Sequence, residues 1–566
     1  MRHVPIRIAR ILVLAVIAAG SRCPVLPAAD DSAPVVAVIA CDGYADVKKQ
    51  LGWVGQQVGN PTLAGFAESF LLIATQGKGL AGLDTGRPLG IVVTAQEEMP
   101  AVHGFVPVKD LDKLLTSLQG VIGPADKQDG VRRIAMPGGA ALEIIEKDGW
   151  AVVSQEGAES VNADPGALID PLVKAYSMAV QLFPSRMPDP MRAQLQALLE
   201  QAQEAAAAQG QPVDGDTMEA ALAALAETET IVLGLGVDAG KEQVVVELRN
   251  VMTPNAKGMA AWAALGEAPP GAGLPATADG KPAAIRAHHV QPVPASARAS
   301  IKEALASALP DDDDDPTMQA LAGVFRDLAS AMIDAGGISA GLTLDTSVAT
   351  AKQPLPALTA FLRIKDGAAL EKKLKERLGQ DDALPPNVTA KFDARKVGQA
   401  NLHEIAIGIK GLPAAEALGD AVTVTLAVAP ERAFVLLGGD VPKRLAAALD
   451  SVTKSDPAAQ PITGVTLSLA GLLQYAALTA DAFDPGNPQN EQMTRVAAEA
   501  AEKPGTLVQL LVRPIERGVS MRLSADAGAL QAAAAVVAAG QNGGARAGNV
   551  REFELPPGAG LPALAP

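Results

Sequence analysis

The sequence predicts an α+β protein of two duplicated blocks, each with antiparallel sheets and with amphipathic helices packed on one face. Three observations carry this prediction. The order strand, two helices, hairpin, helix can be traced four times along the chain of 566 residues. The segment FVPVKDLDKLLTSL at 105–118 returns as FLRIKDGAALEKKL at 361–374. Short connections between successive predicted strands indicate hairpins, which pair strands antiparallel.

The first unit sets the pattern. VVAVIA at 35–40 is short, apolar and β-branched, which favours a buried strand. Apolar residues then recur at helical spacing in YADVKKQLGWVGQQVG, and a second helix is predicted in LAGFAESFLLIATQ. LGIVVTA and AVHGFVPV are predicted to form a hairpin, and a helix after Asp110 completes the unit.

The other three units keep this order with little sequence identity. The second begins at MAVQLF and contains the hairpin TIVLGLGVDAGKEQVVVELRNV. The third begins at Ile285 and runs to the helix after Asp366. The fourth begins at Gly464 and ends in the alanine-rich helix after Asp526. We therefore expect internal repetition rather than unrelated domains.

Each block also contains a pair of strands between its two units. In the first block, alternating apolar residues flank Asp148-Gly149, a strong signal for a short hairpin. In the second block, AVTVTLAVAPERAFVLLGG is a comparable pair. We align Lys109 with Lys365 and Trp150 with Phe434 on this basis. The pattern leaves open whether the sheet of each block closes on itself.

Domain boundaries follow from composition. The apolar run Ile11–Gly20 after three arginines is typical of a secretory signal peptide and is shorter than the roughly 20 residues of a membrane span. A stretch rich in proline and glycine separates the blocks, and the aperiodic end is expected to be extended. The predicted division is signal peptide 1–29, first block 30–267, linker 268–281, second block 282–540 and C-terminal tail 541–566.

Composition bounds the compartment and the partners. We expect an exported protein, periplasmic or extracellular, that is soluble and monomeric after signal cleavage, with no integral membrane span. Of the two cysteines, Cys23 would be removed with the signal peptide, so no intramolecular disulfide could form, and a buried, unreactive Cys41 is the favoured interpretation. A net charge of −16 and only 3% aromatic residues argue against nucleic acid as a partner.

The repeated Lys-Asp pair lies where each strand gives way to a helix. An aspartate at that position accepts hydrogen bonds from amides of the first helical turn, and its charge suits the positive helix end. Asp526 precedes a predicted helix without a lysine before it, so the lysine is dispensable to the pattern. We therefore interpret Asp110, Asp366 and Asp526 as helix caps rather than as parts of a catalytic pair.

Two motifs resemble catalytic or cofactor loops in letters only. GISAG at 337–341 fits G-x-S-x-G, but Ser339 begins a predicted strand instead of an elbow between strand and helix. GLGVDAG at 234–240 has its last glycine one position late for a dinucleotide loop and is predicted to form a hairpin. Neither motif supports a catalytic residue or a cofactor.

Metal-ligand signals are equally weak. His288 and His289 are adjacent on a predicted strand, so their side chains should face opposite ways. His103 and His403 stand alone, which favours core or surface positions. The aspartates of DDDDDP at 311–316 lack the alternating spacing and the glycine of a calcium loop, so a solvated turn is expected. We predict no metal site, no cofactor and no recognisable catalytic residue.

The hairpin RPLGIVV, the junction GFVPVKD and the hairpin KDGWAVVS resemble segments of a family of exported bacterial proteins with no assigned activity. The resemblance covers the first block, and it extends to the second block only because that block repeats the pattern of the first. It implies an exported compartment and the duplicated architecture, and it implies no mechanism.

Three functions remain open from the sequence. The leading hypothesis is a non-catalytic binding or scaffold protein whose ligand or protein partner is unknown. The second is a carrier of an apolar ligand or lipid in a cavity between sheet and helices. The third is a hydrolase whose site residues are dispersed along the chain, which a single sequence cannot reveal.

Overall fold

The structure is a computed structural model. It describes residues 33–96, 100–136, 141–158, 164–194, 196–197, 201, 225–256, 283–308, 316–379, 384–411, 415–453, 461–483 and 487–547. The predicted signal peptide, the linker 268–281 and the acidic run 311–315 lie outside the described residues, as does the tail beyond 547.

The described residues form an α+β fold around one sheet of 20 strands. The strands are β1 Val35–Cys41, β2 Leu89–Thr94, β3 Ala101–Pro107, β4 Asp126–Gln128, β5 Val131–Ala135, β6 Ala141–Lys147, β7 Trp150–Gln155, β8 Met178–Leu182, β9 Thr228–Asp238, β10 Gln243–Met252, β11 Ile285–Pro292, β12 Gly337–Asp345, β13 Ala357–Arg363, β14 Val388–Val397, β15 Ala400–Gly408, β16 Ala421–Ala429, β17 Arg432–Leu437, β18 Thr463–Ser468, β19 Leu507–Ile515 and β20 Gly518–Asp526.

Helices connect these strands. The α-helices are α1 Tyr44–Gln57, α2 Leu63–Ala74, α3 Leu111–Ile122, α4 Pro165–Val173, α5 Arg298–Ala308, α6 Pro316–Asp334, α7 Gly367–Leu378, α8 Ala415–Leu418, α9 Val441–Thr453, α10 Leu469–Phe483, α11 Pro488–Ala501 and α12 Ala527–Ala547. Helix α12 continues seven residues past the predicted start of the extended tail. The prediction placed the end of the helix too early because it relied on an apolar period, which the segment QNGGARA at 541–547 lacks.

The sheet is entirely antiparallel among the described strands. Its order is β4-β5-β6-β7-β3-β2-β1-β8-β9-β10-β20-β19-β18-β11-β12-β13-β17-β16-β15-β14. Read inward from either end, the strands of each half follow one order. The halves meet at the β10–β20 pair, where Val246 lies opposite Leu523. Among the strands that the structure describes, the ends β4 and β14 each have a neighbour on one side only.

Helices cover both faces of the sheet, so the prediction of helices on one face is wrong. Trp150 and Ala151 are adjacent on β7 and point to opposite faces, yet they are 5% and 2% exposed. Ile169 of α4 packs on the face of Trp150. Leu111 of α3 packs on the face of Ala151. The pattern of β7 is apolar on both sides, which a sheet covered on one face would not require.

The second half repeats this double coverage. Leu445 of α9 packs on the face that carries Phe361 and Phe434. Leu370 and Leu374 of α7 pack on the opposite face, against Val428 and Ala433. The five clusters of buried residues therefore lie on both sides of the sheet rather than in one central layer.

The predicted caps are confirmed in both Lys-Asp segments. Asp110 accepts a hydrogen bond from the amide of Lys113 at 3.0 Å, and Asp366 accepts one from the amide of Ala369 at 3.0 Å. The prediction for Asp526 is wrong. Its carboxylate accepts a hydrogen bond from the side chain of Gln243 at 3.2 Å, and the amide of Ala529 donates instead to the carbonyl of Gly505.

The hairpin at Asp148-Gly149 is confirmed, and both residues have positive φ angles, of 53° and 75°. The alignment of Trp150 with Phe434 is wrong by two residues. Trp150 lies opposite Pro107, and Arg432 lies opposite Arg363, two positions before the Lys-Asp pair in each case. Trp150 therefore corresponds to Arg432. A shift of two residues keeps every side chain on the same face, so the apolar pattern cannot detect it.

Candidate functional site

The middle of the sheet presents an apolar surface to solvent. Leu235 and Met178 are neighbours across β8 and β9, and the ladder continues through Val246 to Leu523. We call this surface the central apolar face. Its exposed members, each 38–47% exposed, are Met178, Leu233, Leu235, Val246, Met521 and Leu523. Apolar side chains left this open across neighbouring strands commonly mark a binding surface.

Glycines on β9 explain why these leucines face solvent. Gly234 lies between Leu233 and Leu235 and points to the opposite face, where the ring of Tyr176 covers it. A Cβ atom at Gly234 would lie 2.3 Å from Tyr176 Cδ1, so only glycine allows this contact. The alternation that predicts an ordinary hairpin thus buries its glycines and exposes its leucines.

A depression of about 410 Å³ extends the central apolar face toward β11. Its walls come from β10, β20, β19, β18 and β11, and they include Leu248, Asn250, His289, Thr463, Val512 and Met521. No Asp, Glu, Lys or Arg is among its lining residues. The volume is within the range of about 300–1,000 Å³ that is usual for small-molecule sites.

Two polar groups lie within this otherwise apolar depression. Asn250 Oδ1 is buried and has no hydrogen-bond partner. His289 is exposed, and its Nδ1 lies 2.8 Å from Thr463 Oγ1. A buried oxygen without a donor costs free energy, so a ligand that supplies a donor there would be favoured.

A polar cleft of about 500 Å³ lies elsewhere on the sheet, between α1, the segment that leads into β8, and parts of β9 and β10. Asp42, Lys49, Asp238 and Arg522 give it charges of both signs. Burial is the main cause that raises the pKa of Asp42, partly offset by the hydrogen bond from Gln50. Opposite charges in close alternation select no single class of ligand.

The thiol next to this cleft is poorly suited to chemistry. Cys41 is a free, half-buried residue at the end of β1. Burial, and then the charge of Asp42, raise the pKa of its thiol. A thiol rather than a thiolate therefore dominates near neutral pH, which makes Cys41 a weak nucleophile.

The motifs GISAG and GLGVDAG lie on strands, as predicted. Ser339 lies on β12, 2% exposed, and its Oγ has no hydrogen-bond partner. No base therefore activates this hydroxyl, and solvent does not reach it. GLGVDAG lies in the β9–β10 hairpin. Neither motif lies at the start of a helix, where a nucleophile elbow or a phosphate loop requires it.

The predicted separation of the adjacent histidines is confirmed. His288 Nε2 lies 3.0 Å from the carbonyl of Pro461, whereas His289 contacts Thr463 on the other face of β11. Burial is the main cause that lowers the pKa of His288. His103 is fully buried between two hydroxyls on neighbouring strands. These imidazoles are parts of the packing of the sheet.

One cluster of metal-type ligands was missed by sequence reasoning. Single ligand atoms of Glu371, Asp393 and His403 lie within 4.8 Å of one another. They come from α7, β14 and β15, so no short motif could reveal them. Lys375 Nζ lies 2.6 Å from Glu371 and 2.8 Å from Asp393, at the position a cation would take.

Hydrogen bonding at His403 argues further against a metal. The amide of Asp393 donates to His403 Nδ1 at 3.1 Å, which places the proton of the neutral ring on Nε2. Nε2 lies 3.6 Å from Glu371 and then has no lone pair for a metal. The hydrogen bond with Asp393, followed by that with Glu371, raises the pKa of Lys375. The cluster is a lysine-centred ion pair network.

Within the described ranges, no helix is both long enough and apolar enough to cross a bilayer. The chain matches no family model, no curated protein and no solved structure at a significant level. The resemblance to an exported family therefore stays a prediction.

Proposed function

We propose that the protein is a non-catalytic binding protein that holds one apolar small molecule on the central apolar face. The observation that carries this proposal is the row of exposed apolar side chains at the junction of the two halves, with the depression beside it. In this proposal the ligand lies on the open sheet face, not in the cavity between sheet and helices that the second hypothesis from the sequence assumed.

The size of the central apolar face favours a small ligand over a second copy of the chain. Its exposed members lie on the four strands β8, β9, β10 and β20, with at most two of them on each strand. At about 4.8 Å between strands and about 6.6 Å between same-facing residues, they cover about 250 Å², whereas a stable protein interface buries about 800 Å² per partner. An apolar molecule in the depression needs no such area.

A non-catalytic role fits the polar groups of the described chain. Cys41 is held as a thiol, Ser339 has no base, and Lys375 fills the one group of metal-type ligands. The net charge of −16 opposes nucleic acid and anionic surfaces, in keeping with an exported monomer that carries a neutral ligand. We further infer that the halves arose by duplication, because both follow one strand order.

The first test is native mass spectrometry of the protein purified from its own compartment, followed by denaturing extraction of small molecules. An apolar bound mass is expected. The second test is binding of Nile red, a neutral dye whose emission reports apolar surroundings. Met521→Asp should reduce dye binding about tenfold or more, since it places a charge in the apolar surface.

Ile73→Asp is the matched control because Ile73 is an apolar residue of α2 that is 78% exposed outside the central apolar face. This variant should bind Nile red like the wild type. Equal loss in both variants, or no loss in Met521→Asp, would contradict the proposal.

A scaffold role is the second candidate, and the edge strand β14 favours it. This strand has ten residues and pairs only with β15 among the described strands, so its other edge could accept a partner's strand. Lys391, Arg395 and Lys396 lie along it, and such charges usually protect an edge from pairing. Affinity capture that recovers a partner from wild type but not from a variant with Ala390→Pro would favour this role.

A further inference from the structure

We infer that the ligand of the central apolar face is an uncharged amphiphile with a hydroxyl donor, bound with its hydroxyl on Asn250 and its chain along the leucines. This inference rests on the proposed function and adds the chemistry of the head group. It concerns one end of the depression, where Asn250 on β10 lies opposite Val519 on β20.

The first argument is the unmet hydrogen bond at Asn250. Its Oδ1 is buried without a donor, although strand residues around it pair normally. Buried amide oxygens nearly always have a partner, so an exception inside an apolar depression indicates a group that is supplied from outside. An alcohol supplies an O–H donor, whereas an ether or an ester presents only acceptors.

The second argument is the absence of charge. A carboxylate or phosphate head group would need a lysine, an arginine or a set of amide donors to offset its desolvation. The lining residues of the depression include none of the four charged types. The nearest ionisable ring, His289, already contacts Thr463. An anion is therefore disfavoured, in agreement with the acidic balance of the whole chain.

The third argument is the arrangement of polar and apolar groups. Asn250 lies two residues from Leu248 and four from Val246 on the same face of β10, and Met521 and Leu523 lie beside them on β20. A ligand with its head on Asn250 can thus lay its chain across exposed apolar side chains toward β9. The head would meet complementary surface once the side chain of Asn250 turns its amide oxygen toward the depression, a motion that needs no shift of the strands.

Three probes of equal chain length test the inference: 1-dodecanol, methyl dodecyl ether and dodecanoate, each competing with Nile red. We expect 1-dodecanol to bind about threefold to tenfold more tightly than the ether, which is the usual net gain of one neutral hydrogen bond. Dodecanoate should be the weakest at pH 8. In Asn250→Leu, the alcohol should lose its advantage over the ether, while Nile red still binds.

Asn60→Leu is the matched control, because Asn60 lies between α1 and α2 and bonds only to the neighbouring segment. It should keep the full preference for the alcohol. Equal affinity of alcohol and ether in the wild type, or tighter binding of dodecanoate, overturns the head-group inference and leaves the proposed function intact. Failure of Nile red and of all three probes to bind overturns the proposed function itself.

Discussion

The two halves bury a polar side chain at the same place and satisfy it in different ways. His103 on β3 and Thr359 on β13 both lie six residues before the lysine of the Lys-Asp pair. His103 Nδ1 lies 2.9 Å from Ser154 Oγ, and its Nε2 lies 3.4 Å from Thr94 Oγ1. Thr359 Oγ1 instead accepts a hydrogen bond from Arg444 Nη1 at 2.9 Å.

The fold determines where a polar side chain is buried, whereas the group that hydrogen-bonds to it differs between the halves. In the first half the buried group is a neutral imidazole ring between two hydroxyls. In the second half it is a hydroxyl that a permanent cation, Arg444, hydrogen-bonds. Arg444 also donates to the carbonyls of Leu358, Leu437 and Gly438, so it ties α9 to two strands. The first half should therefore respond to pH at a place where the second half does not.

Arg444→Met should have the largest effect. It leaves carbonyl oxygens of Leu358 and Leu437 without their donor, and we expect a loss of about 3 kcal/mol in the free energy of unfolding. The measurement is urea unfolding followed by circular dichroism. Arg432→Met, in a half-buried position of β17, is the control and should lose less. A loss below about 1 kcal/mol would mean that water replaces the guanidinium.

Asp327→Asn should cause the second largest loss in the free energy of unfolding. It tests an ion-pair contact between helices that is stronger in the second half than in the first. Asp327 on α6 is 8% exposed and accepts from Arg377 at 2.6 Å and from Lys373 at 3.1 Å, both on α7. Removing its charge should cost about 2 kcal/mol.

In the described part of the first half, the corresponding contact is a hydrogen bond from Lys78, beyond α2, to the carbonyl of Thr116 on α3. Lys78→Met should therefore cost less than about 1 kcal/mol, because this bond is exposed. Equal losses in Asp327→Asn and Lys78→Met would show that the ion pairs add nothing beyond packing.

His103 should make the first half sensitive to acid. Burial lowers the pKa of His103, so the folded state keeps a neutral ring where the unfolded chain, with an ordinary pKa of 6.5, binds a proton. The stabilisation is fully present above pH 6.5 and is lost as the pH falls toward the folded pKa. Between pH 6.5 and 5.5, the wild type should lose up to about 1 kcal/mol more than His103→Asn.

Tryptophan fluorescence is the measurement for this prediction, because Trp53 and Trp150 lie in the first half and Trp262 precedes the second. His289→Asn is the control and should keep the full pH dependence, since His289 is exposed. A pH slope that survives in His103→Asn would assign the effect to His288 and His403, whose pKa values burial also lowers.

Substitutions of the three aspartates should have the smallest effects on thermal unfolding, and the two confirmed caps should have larger effects than Asp526. Asp110→Ala and Asp366→Ala each remove a hydrogen bond to a first-turn amide, and we expect the midpoint of thermal unfolding to fall by about 2 °C. Asp526→Ala removes only the contact with Gln243 and should lower it less. A larger loss for Asp526→Ala would mean that the link between β10 and β20 matters more than capping.

Local signals in the sequence predicted the local structure. The hairpin at Asp148-Gly149 requires positive φ angles that few residues accept, and the caps at Asp110 and Asp366 need one side chain at one position. Such requirements restrict the residue types at a few adjacent positions, so they are visible in the sequence. The strands and helices of both Lys-Asp segments were therefore predictable.

What the sequence could not predict depends on contacts between distant segments. The two-residue error between Trp150 and Arg432 preserves side-chain facing, and the cluster around Lys375 joins α7 to β14 and β15. The central apolar face had a visible signal in the alternating Leu and Gly of β9. Its meaning required knowing that Tyr176 covers Gly234 on one face, whereas Leu233 and Leu235 are exposed on the other.

The β10–β20 junction has a consequence for how such a chain can assemble. Each half ends its strand order with the strand that meets the other half, and two equivalent edges that pair antiparallel form the arrangement of a twofold dimer. A half on its own would leave that edge unpaired and would associate only at sufficient concentration. Joined in one chain, the halves meet at a fixed effective concentration, so the central apolar face persists at any dilution.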